Sequence, residues 1–348
     1  MAPLLTVGIP VYNGMPYLPE AIESILSQSF GDFEILVIND GSTDGSWEYL
    51  RSLRDPRLRL VSQANRGLTA TLNRMLEEAQ APWLVRLDAD DICRNNRLAI
   101  AADAVQKYPH AGMFYSRAAL HQHVGITAQS RSTEGSPEDL QGLTRSGYLL
   151  AICHVSTILS TTKTRSIGGY RFNLHVEDLD LWWRMALKYD IVFLPRVTVD
   201  IRLNEGSSCI SNLQKLSANT FYIQYLLLSN LWNLPSRPYE QVIPHLAKMV
   251  DNRYLAYREQ MWKAGIHLGQ HQYREALPHL ARAVLHSPSH FLRRLQYAIR
   301  PNPMIRVGES PQAFRKMHDQ LWPTSPQPSI KLRSPRTLSA VNELKFSR

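Results

Sequence analysis

Apolar positions along this chain change period several times, and the changes outline its elements. Leu4-Leu5-Thr6-Val7-Gly8-Ile9 reads as a short buried strand that Pro10 should stop. Leu18, Ile22, Ile25 and Leu26 then recur at helical spacing. Phe33 to Ile38 reads as a second buried strand, a helix follows Gly45, and Arg57 to Ser62 reads as a third strand. Leu68, Leu72, Met75 and Leu76 mark another helix, and Trp83 to Leu87 a fourth strand. Strand and helix alternate at crossover spacing, which argues for a parallel sheet with helices on both faces. In such sheets ligands sit beyond the carboxyl ends of the strands. Tyr12-Asn13, Asp40-Gly41-Ser42 and Asp88 to Asp91 all follow strands, so they should converge on one crevice.

The run Leu87-Asp88-Ala89-Asp90-Asp91 adds chemistry to that crevice. Clustered like charges are unfavourable unless a cation or hydrogen-bond donors offset them. Mg²⁺ and similar hard ions bind through one or two carboxylates plus a substrate's phosphates. Asp-x-Asp at a strand end therefore suggests a metal holding a nucleotide diphosphate. The plain alternative is a solvated acidic turn capping the helix that begins near Asn95.

Pro10-Val11-Tyr12-Asn13, Asn39 to Gly45, Asn65-Arg66-Gly67 and Leu87 to Asp91 resemble successive motifs of the family-2 glycosyltransferases. Gly168-Gly169-Tyr170 and Glu177-Asp178-Leu179-Asp180-Leu181-Trp182 resemble its later signatures, in the right order over roughly residues 3–210. The resemblance implies a GT-A fold, a Rossmann-like mixed sheet flanked by helices. It also implies inverting transfer of a sugar from a nucleoside diphosphate, UDP foremost, to an acceptor hydroxyl. Cell-surface polysaccharide or lipid-linked glycan synthesis is the implied setting. Nucleotidyltransferases use a related sheet, but their glycine-rich, basic phosphate loop is missing after the first strand.

By that resemblance Pro10, Tyr12, Asn13, Asp40, Arg66, Asp88 and Ala89 fall at nucleotide-binding positions. Asp40 would accept from the uracil ring N–H. Asp90 falls at the ligand of a divalent ion, Mg²⁺ or Mn²⁺, with Asp88 contacting ribose or metal. Asp178 falls at the catalytic base. Chemistry agrees, since a sugar hydroxyl is a poor nucleophile that needs a positioned carboxylate, and a metal can neutralise the departing diphosphate. Asp178 opens an expected helix, Glu177 to Lys188, whose dipole would lower its pKa, whereas crowding by Glu177 and Asp180 would raise it. Simple helix capping is the alternative for Asp178, and Glu177 is the rival base.

Some positions depart from the pattern. The family often ends this domain with Tyr-Arg-x-His; here Ile201-Arg202-Leu203-Asn204 stands instead, so Asn204 is a weaker metal candidate than a histidine. Arg202 is a candidate for the diphosphate or a plain surface arginine. His154 and Trp182 fall on the acceptor side, with a structural role equally open for His154. Gln122 to Gly135 reads as a polar loop and candidate acceptor lid, ahead of a helix start at Ser136-Pro137 with Asp139 completing the cap.

The chain divides by charge. Residues 1–210 hold 20 Lys+Arg against 23 Asp+Glu, and residues 211–348 hold 19 against 7. Three units follow: a catalytic domain over 1–210, a helical extension over 211–300, and a basic Pro/Ser-rich tail over 301–348, expected to be partly disordered. Tyr273, Ala276, Leu280, Ala283 and Pro288 resemble one degenerate tetratricopeptide hairpin. The basic C-terminal part suits anionic lipid better than nucleic acid, because no aromatic platform accompanies it. A merely solvating tail is the other reading. Partners are thus a nucleotide-sugar donor, a glycan or lipid-linked acceptor and, through the basic part, a membrane surface. The first strand starts by Leu4, and three widely spaced cysteines indicate neither disulfides nor zinc. A cytoplasmic protein, at most peripheral on the inner membrane face, is expected. The second reading from another class is a non-catalytic nucleotide-sugar-binding or scaffold protein on the same fold.

Overall fold

A computed structural model describes residues 2–122, 125–129, 132–202, 212–292 and 306–315 of the 348-residue chain. The first elements alternate as the apolar pattern predicts: β1 (Leu5–Val11), α1 (Leu18–Leu26), β2 (Phe33–Asn39), α2 (Ser46–Ser52), β3 (Leu58–Ser62), α3 (Leu68–Glu78) and β4 (Trp83–Arg86). Next come β5 (Ile92–Cys93), α4 (Arg97–Lys107), β6 (Met113–Gln122), β7 (Gly125–Gln129), α5 (Pro137–Arg145) and β8 (Leu149–Leu150). β9 (Thr157–Ser160), α6 (Thr161–Ser166), α7 (Glu177–Lys188) and β10 (Ile191–Arg202) complete the sheet region. The chain continues through α8 (Leu213–Leu231), α9 (Tyr239–Leu246), α10 (Asn252–Gly269), α11 (Tyr273–His286) and β11 (Arg306–Val307).

The main sheet runs β3-β2-β1-β4-β9-β6-β10-β5, with β7 on the edge of β6. β1 to β4 are parallel, whereas β9 runs antiparallel to both β4 and β6. The sheet is therefore mixed, and the reversal matters. The start of β9 lies beside the end of β4, which carries residues around His154 to the acidic run after Arg86. Pro10 does not stop β1, which continues to Val11. Its pairing with β4 ends at Gly8 opposite Arg86, so the N–H that Pro10 lacks has no ladder partner to lose.

Period-two alternation distributes β2 between two cores. Phe33, Ile35 and Val37 join Leu5, Val7 and Ile9 against α1 and α4, while Leu36 and Ile38 pack with Leu72, Met75, Leu181 and Trp182 on the other face. Gly8 lets α3 approach β1, since a Cβ there would sit 2.2 Å from the Met75 sulfur. The capping box on α5 forms as expected, with Ser136 and Asp139 each accepting the other's backbone N–H.

Two expectations change. The stretch from Gln122 to Gly135 is not a loop throughout: Ile126 and Ala128 lie in β7, paired antiparallel with β6. Beyond it Glu134 holds Arg117 through two hydrogen bonds of 2.7 Å, and the Ala151 N–H donates to the Thr133 hydroxyl. The tail beyond Pro301 also contributes to the fold. β11 pairs with β8, Gln224 of α8 donates to the Glu309 carbonyl, and Phe314 is buried against Phe221. Arg306 to Glu309 hold a single apolar residue, Val307, and so carry no apolar period; only the partner β8 reveals them. α8 and α9 share a third core with Leu149, Val176 and Trp183. Among the described residues no helix is long and apolar enough to cross a membrane.

Candidate active site

The loops after β1 and β2 are tied together by side chains that sequence marks as turn formers. Asn13, at φ 53°, accepts from the Thr43 N–H at 2.8 Å. Asp44 accepts from the Met15 N–H at 2.8 Å and from the Ser46 hydroxyl at 2.6 Å, and Ser46 accepts from the Gly14 N–H. Gly41 takes φ 78° where a Cβ would meet the Asn65 nitrogen at 2.9 Å, so the third loop can close over it.

Asp40 organises that third loop. Its carboxylate accepts from Gln63 at 2.7 Å and from the N–H groups of Arg66 and Gly67, each at 2.9 Å. A carboxylate offers about four acceptor sites, and three of these are occupied. Tyr12, 56% exposed, directly follows β1 as Asp40 directly follows β2, where Val11 and Asn39 are paired.

At the end of β4 the acidic run encloses a buried cation. Arg86 is 1% exposed and donates to the Asp88 carboxylate and the Leu87 carbonyl. Asp91 is buried and accepts from the Arg202 N–H at 2.9 Å. Burial first, and then repulsion from Asp88 and Asp90, holds the Asp91 carboxyl well above its usual range.

α7 delivers the second group of carboxylates. Asp178 accepts the Leu179 N–H at 2.8 Å, yet burial and the like charge of Glu177 push its pKa up to about 7. Glu177 is raised too, chiefly by burial, with Asp88 adding repulsion and Arg86 opposing it. The field of Arg86 reaches Glu177, Asp178 and His154 alike, so β4, the turn before β9 and the start of α7 meet at one place.

Asp180 is different. It accepts from Arg171 at 2.6 and 2.9 Å, from Arg184 at 2.7 and 3.0 Å and from the Trp183 indole at 3.2 Å, with no exposure of its own. It anchors α7 to the Gly168-Gly169 turn, because Arg184 also donates to the Gly169 carbonyl at 2.6 Å. Asp180→Ala leaves the buried Arg184 charge uncompensated and should destabilise the fold by ~3–5 kcal/mol. Urea denaturation checks this: a midpoint within error of the wild type would show that the network contributes nothing.

Residues 6–159 match the family model for glycosyl transferase family 2. EpsE of Bacillus subtilis (strain 168), named as a glycosyltransferase, is 30% identical over 190 residues, 52% of this chain and 66% of that protein. The chain belongs to glycosyl transferase family 2. Glycosyltransferase GlyG of Streptococcus pneumoniae is 34% identical over 110 residues, 31% of this chain and 36% of that protein. The chain thus matches about a third to two thirds of the length of these two curated relatives. The crystal structure of S. aureus TarS 1-349 in complex with UDP-GlcNAc shares the fold at TM-score 0.51 and 16% identity, covering 81% of this chain and 91% of that one. The fold is GT-A, the mixed sheet flanked by helices that the motifs imply.

Within this family-2 chain the sequence candidates separate. Pro10, Tyr12, Asn13, Asp40, Arg66 and Ala89 lie on or beside the loops at the carboxyl ends of β1, β2, β3 and β4. Trp182 does not face the cleft. It is 0% exposed in the core, edge-on to the His154 ring at 5.6 Å, and its indole N–H has no acceptor among the described residues. Helical spacing puts position 182 on the inner face of α7, so it packs behind the site instead of touching an acceptor. His154 shares a hydrogen bond of 2.8 Å with the Tyr170 hydroxyl, and burial keeps it well below the usual histidine pKa. It is a neutral wall residue. The Arg202 guanidinium is taken up by Glu20 at 2.6 Å, the Asp90 carbonyl at 3.0 Å and the Tyr17 ring at 4.8 Å, which favours the structural alternative. Asn204 lies outside the described residues.

Arg86 is the participant that sequence reading passed over. An arginine inside a buried strand, two residues before an acidic run, was the available signal. For a divalent ion, no group of three His, Cys, Asp or Glu side chains gathers at ligating distance among the described residues. Two carboxylates at a strand end still fit an ion that completes its shell with diphosphate oxygens and water. The repulsion felt by Asp91 marks the negative potential such an ion would relieve.

Proposed function

We propose that this family-2 chain transfers a sugar from a nucleoside diphosphate, UDP foremost, to an acceptor hydroxyl with inversion, assisted by Mg²⁺ or Mn²⁺. The observation that carries this reading is the Asp178 carboxyl, whose pKa burial and Glu177 raise to about 7 beside Arg86. A general base works best with a pKa near the working pH, and an ordinary aspartate would be too weak. The donor base would rest on Tyr12 and the remaining acceptor site of Asp40, with Asn13, Arg66 and Ala89 around it. Asp90 and Asp88 would hold the metal, which as a Lewis acid offsets charge on the departing diphosphate. Arg86 keeps Asp88 oriented, and Asp178 removes the acceptor proton as its oxygen attacks the far face of the anomeric carbon. One displacement inverts that carbon. A glycan or lipid-linked acceptor suits the family setting.

The sign of the pH dependence follows. Asp178 must be ionised to accept a proton, so kcat/KM rises with pH through about 7 and then levels. Transfer assays across this range test the reading, with nucleotide sugars screened as donors. A flat profile from pH ~5 to ~8 would remove Asp178 from the role.

A further inference from the structure

Seven of the ten exposed large apolar side chains among the described residues lie in the α10–α11 hairpin and the residues that follow to Leu292. α11 buries Ala276 and Ala283, seven residues apart, on the side that packs against α10, where His279 also meets Gln260 at 2.8 Å. Tyr273, Leu277, Val284 and Leu285 recur at spacings of four and seven to eight, so they form a stripe along another side of the helix. Leu277 is 63% exposed and Leu285 80%. Arg274 and Arg282 each stand three residues before a stripe leucine, the spacing of surface neighbours on a helix. Immediately beyond Leu292, residues 293–348 carry 11 Lys+Arg against 3 Asp+Glu.

We propose that this face of α11 docks on an anionic lipid bilayer. Leucines flanked by arginines suit the boundary between headgroups and acyl chains, where apolar burial and attraction to lipid phosphate add. The surrounding charge is mainly positive: α11 carries Arg274 and Arg282 against Glu275, α10 offsets Glu259 with Lys263, and the residues beyond Leu292 are strongly basic, so the occupant should be negative as well as apolar. A bilayer supplies both over a surface wide enough for a whole helix. The face would bring the enzyme to a membrane-borne acceptor, but lipid binding by it does not depend on the catalytic reading.

Vesicle co-sedimentation of the full-length chain tests this without reference to transfer. Wild type should bind vesicles containing phosphatidylglycerol and bind phosphatidylcholine vesicles far less. Leu277→Gln with Leu285→Gln should lower partitioning at least about tenfold. Arg274→Gln with Arg282→Gln should lower it several-fold per charge removed, an effect that salt diminishes as the Debye length shortens. These positions are exposed, so unchanged circular dichroism and melting should accompany the loss. As a second readout, Val284→Trp fluorescence should shift to the blue on anionic vesicles. Equal binding by the double-leucine variant would overturn the proposal and leave the basic tail as the sole contact. So would absence of binding at low salt, or self-association that the leucine substitutions abolish without any lipid binding.

Discussion

Asp178→Asn lowers turnover by about 10²–10⁴-fold while nucleotide affinity stays within a few-fold. Asn keeps the size and the acceptor that receives the Leu179 N–H, so α7 should start as before. What disappears is a carboxylate able to take a proton at neutral pH. The rising limb near pH 7 should vanish with it, because that limb belongs to this group and its coupled neighbour. Glu177→Gln gives the contrasting result: a smaller loss of rate, with the limb moved to lower pH because a like charge has gone. Steady-state kinetics with a calorimetric titration of nucleotide separate the two variants. Near-normal turnover in Asp178→Asn together with a large loss in Glu177→Gln would transfer the role to Glu177.

Chelation of divalent cations abolishes transfer, and added Mg²⁺ or Mn²⁺ restores it. Asp90→Asn should show the same loss without recovery at ordinary metal concentrations, and should bind nucleotide no more tightly with metal than without. The reason lies in charge. Asp88, Asp90 and Asp91 crowd the end of β4, and the buried Arg86 beside them is already committed to Asp88 and the Leu87 carbonyl. A second polyanion, the donor diphosphate, would meet repulsion there without an added cation. Metal-dependent nucleotide binding followed by calorimetry checks this. Full activity in a rigorously metal-free sample would show that the acidic run serves only as a turn.

The sequence conveyed much of this because its local chemistry and its tertiary setting agree. Parallel strands buried on both faces must be apolar throughout, so β1, β2 and β4 stood out as runs, and the polar clusters after them marked the crevice. The Ser136 and Asp139 cap, and the helix from Glu177 to Lys188, are local devices that read directly from residue type and spacing. Asn204 and the far tail lie outside the described residues.

Other features depend on what comes alongside. β7 offers only Ile126 and Ala128 at alternate positions and β11 only Val307, too short a pattern to mark a strand without the partners β6 and β8. Pro10 continues β1 because β4 has already ended beside it. Trp182 belongs to a motif, yet which face of α7 meets the core decides that it packs and does not bind. Arg202 could serve a phosphate anywhere that Glu20 and Tyr17 were absent. The crowding of Asp178 by Glu177 follows from their adjacency in the chain, but the burial that raises its pKa most, and the nearby Arg86, come only with folding. Residue type and spacing thus determined the family, the fold and the place where the chemistry gathers, because those depend on short-range pattern. Which carboxylate is basic, which cation is buried and which aromatic is exposed were decided by packing, because desolvation and long-range partners exist only once the chain is folded.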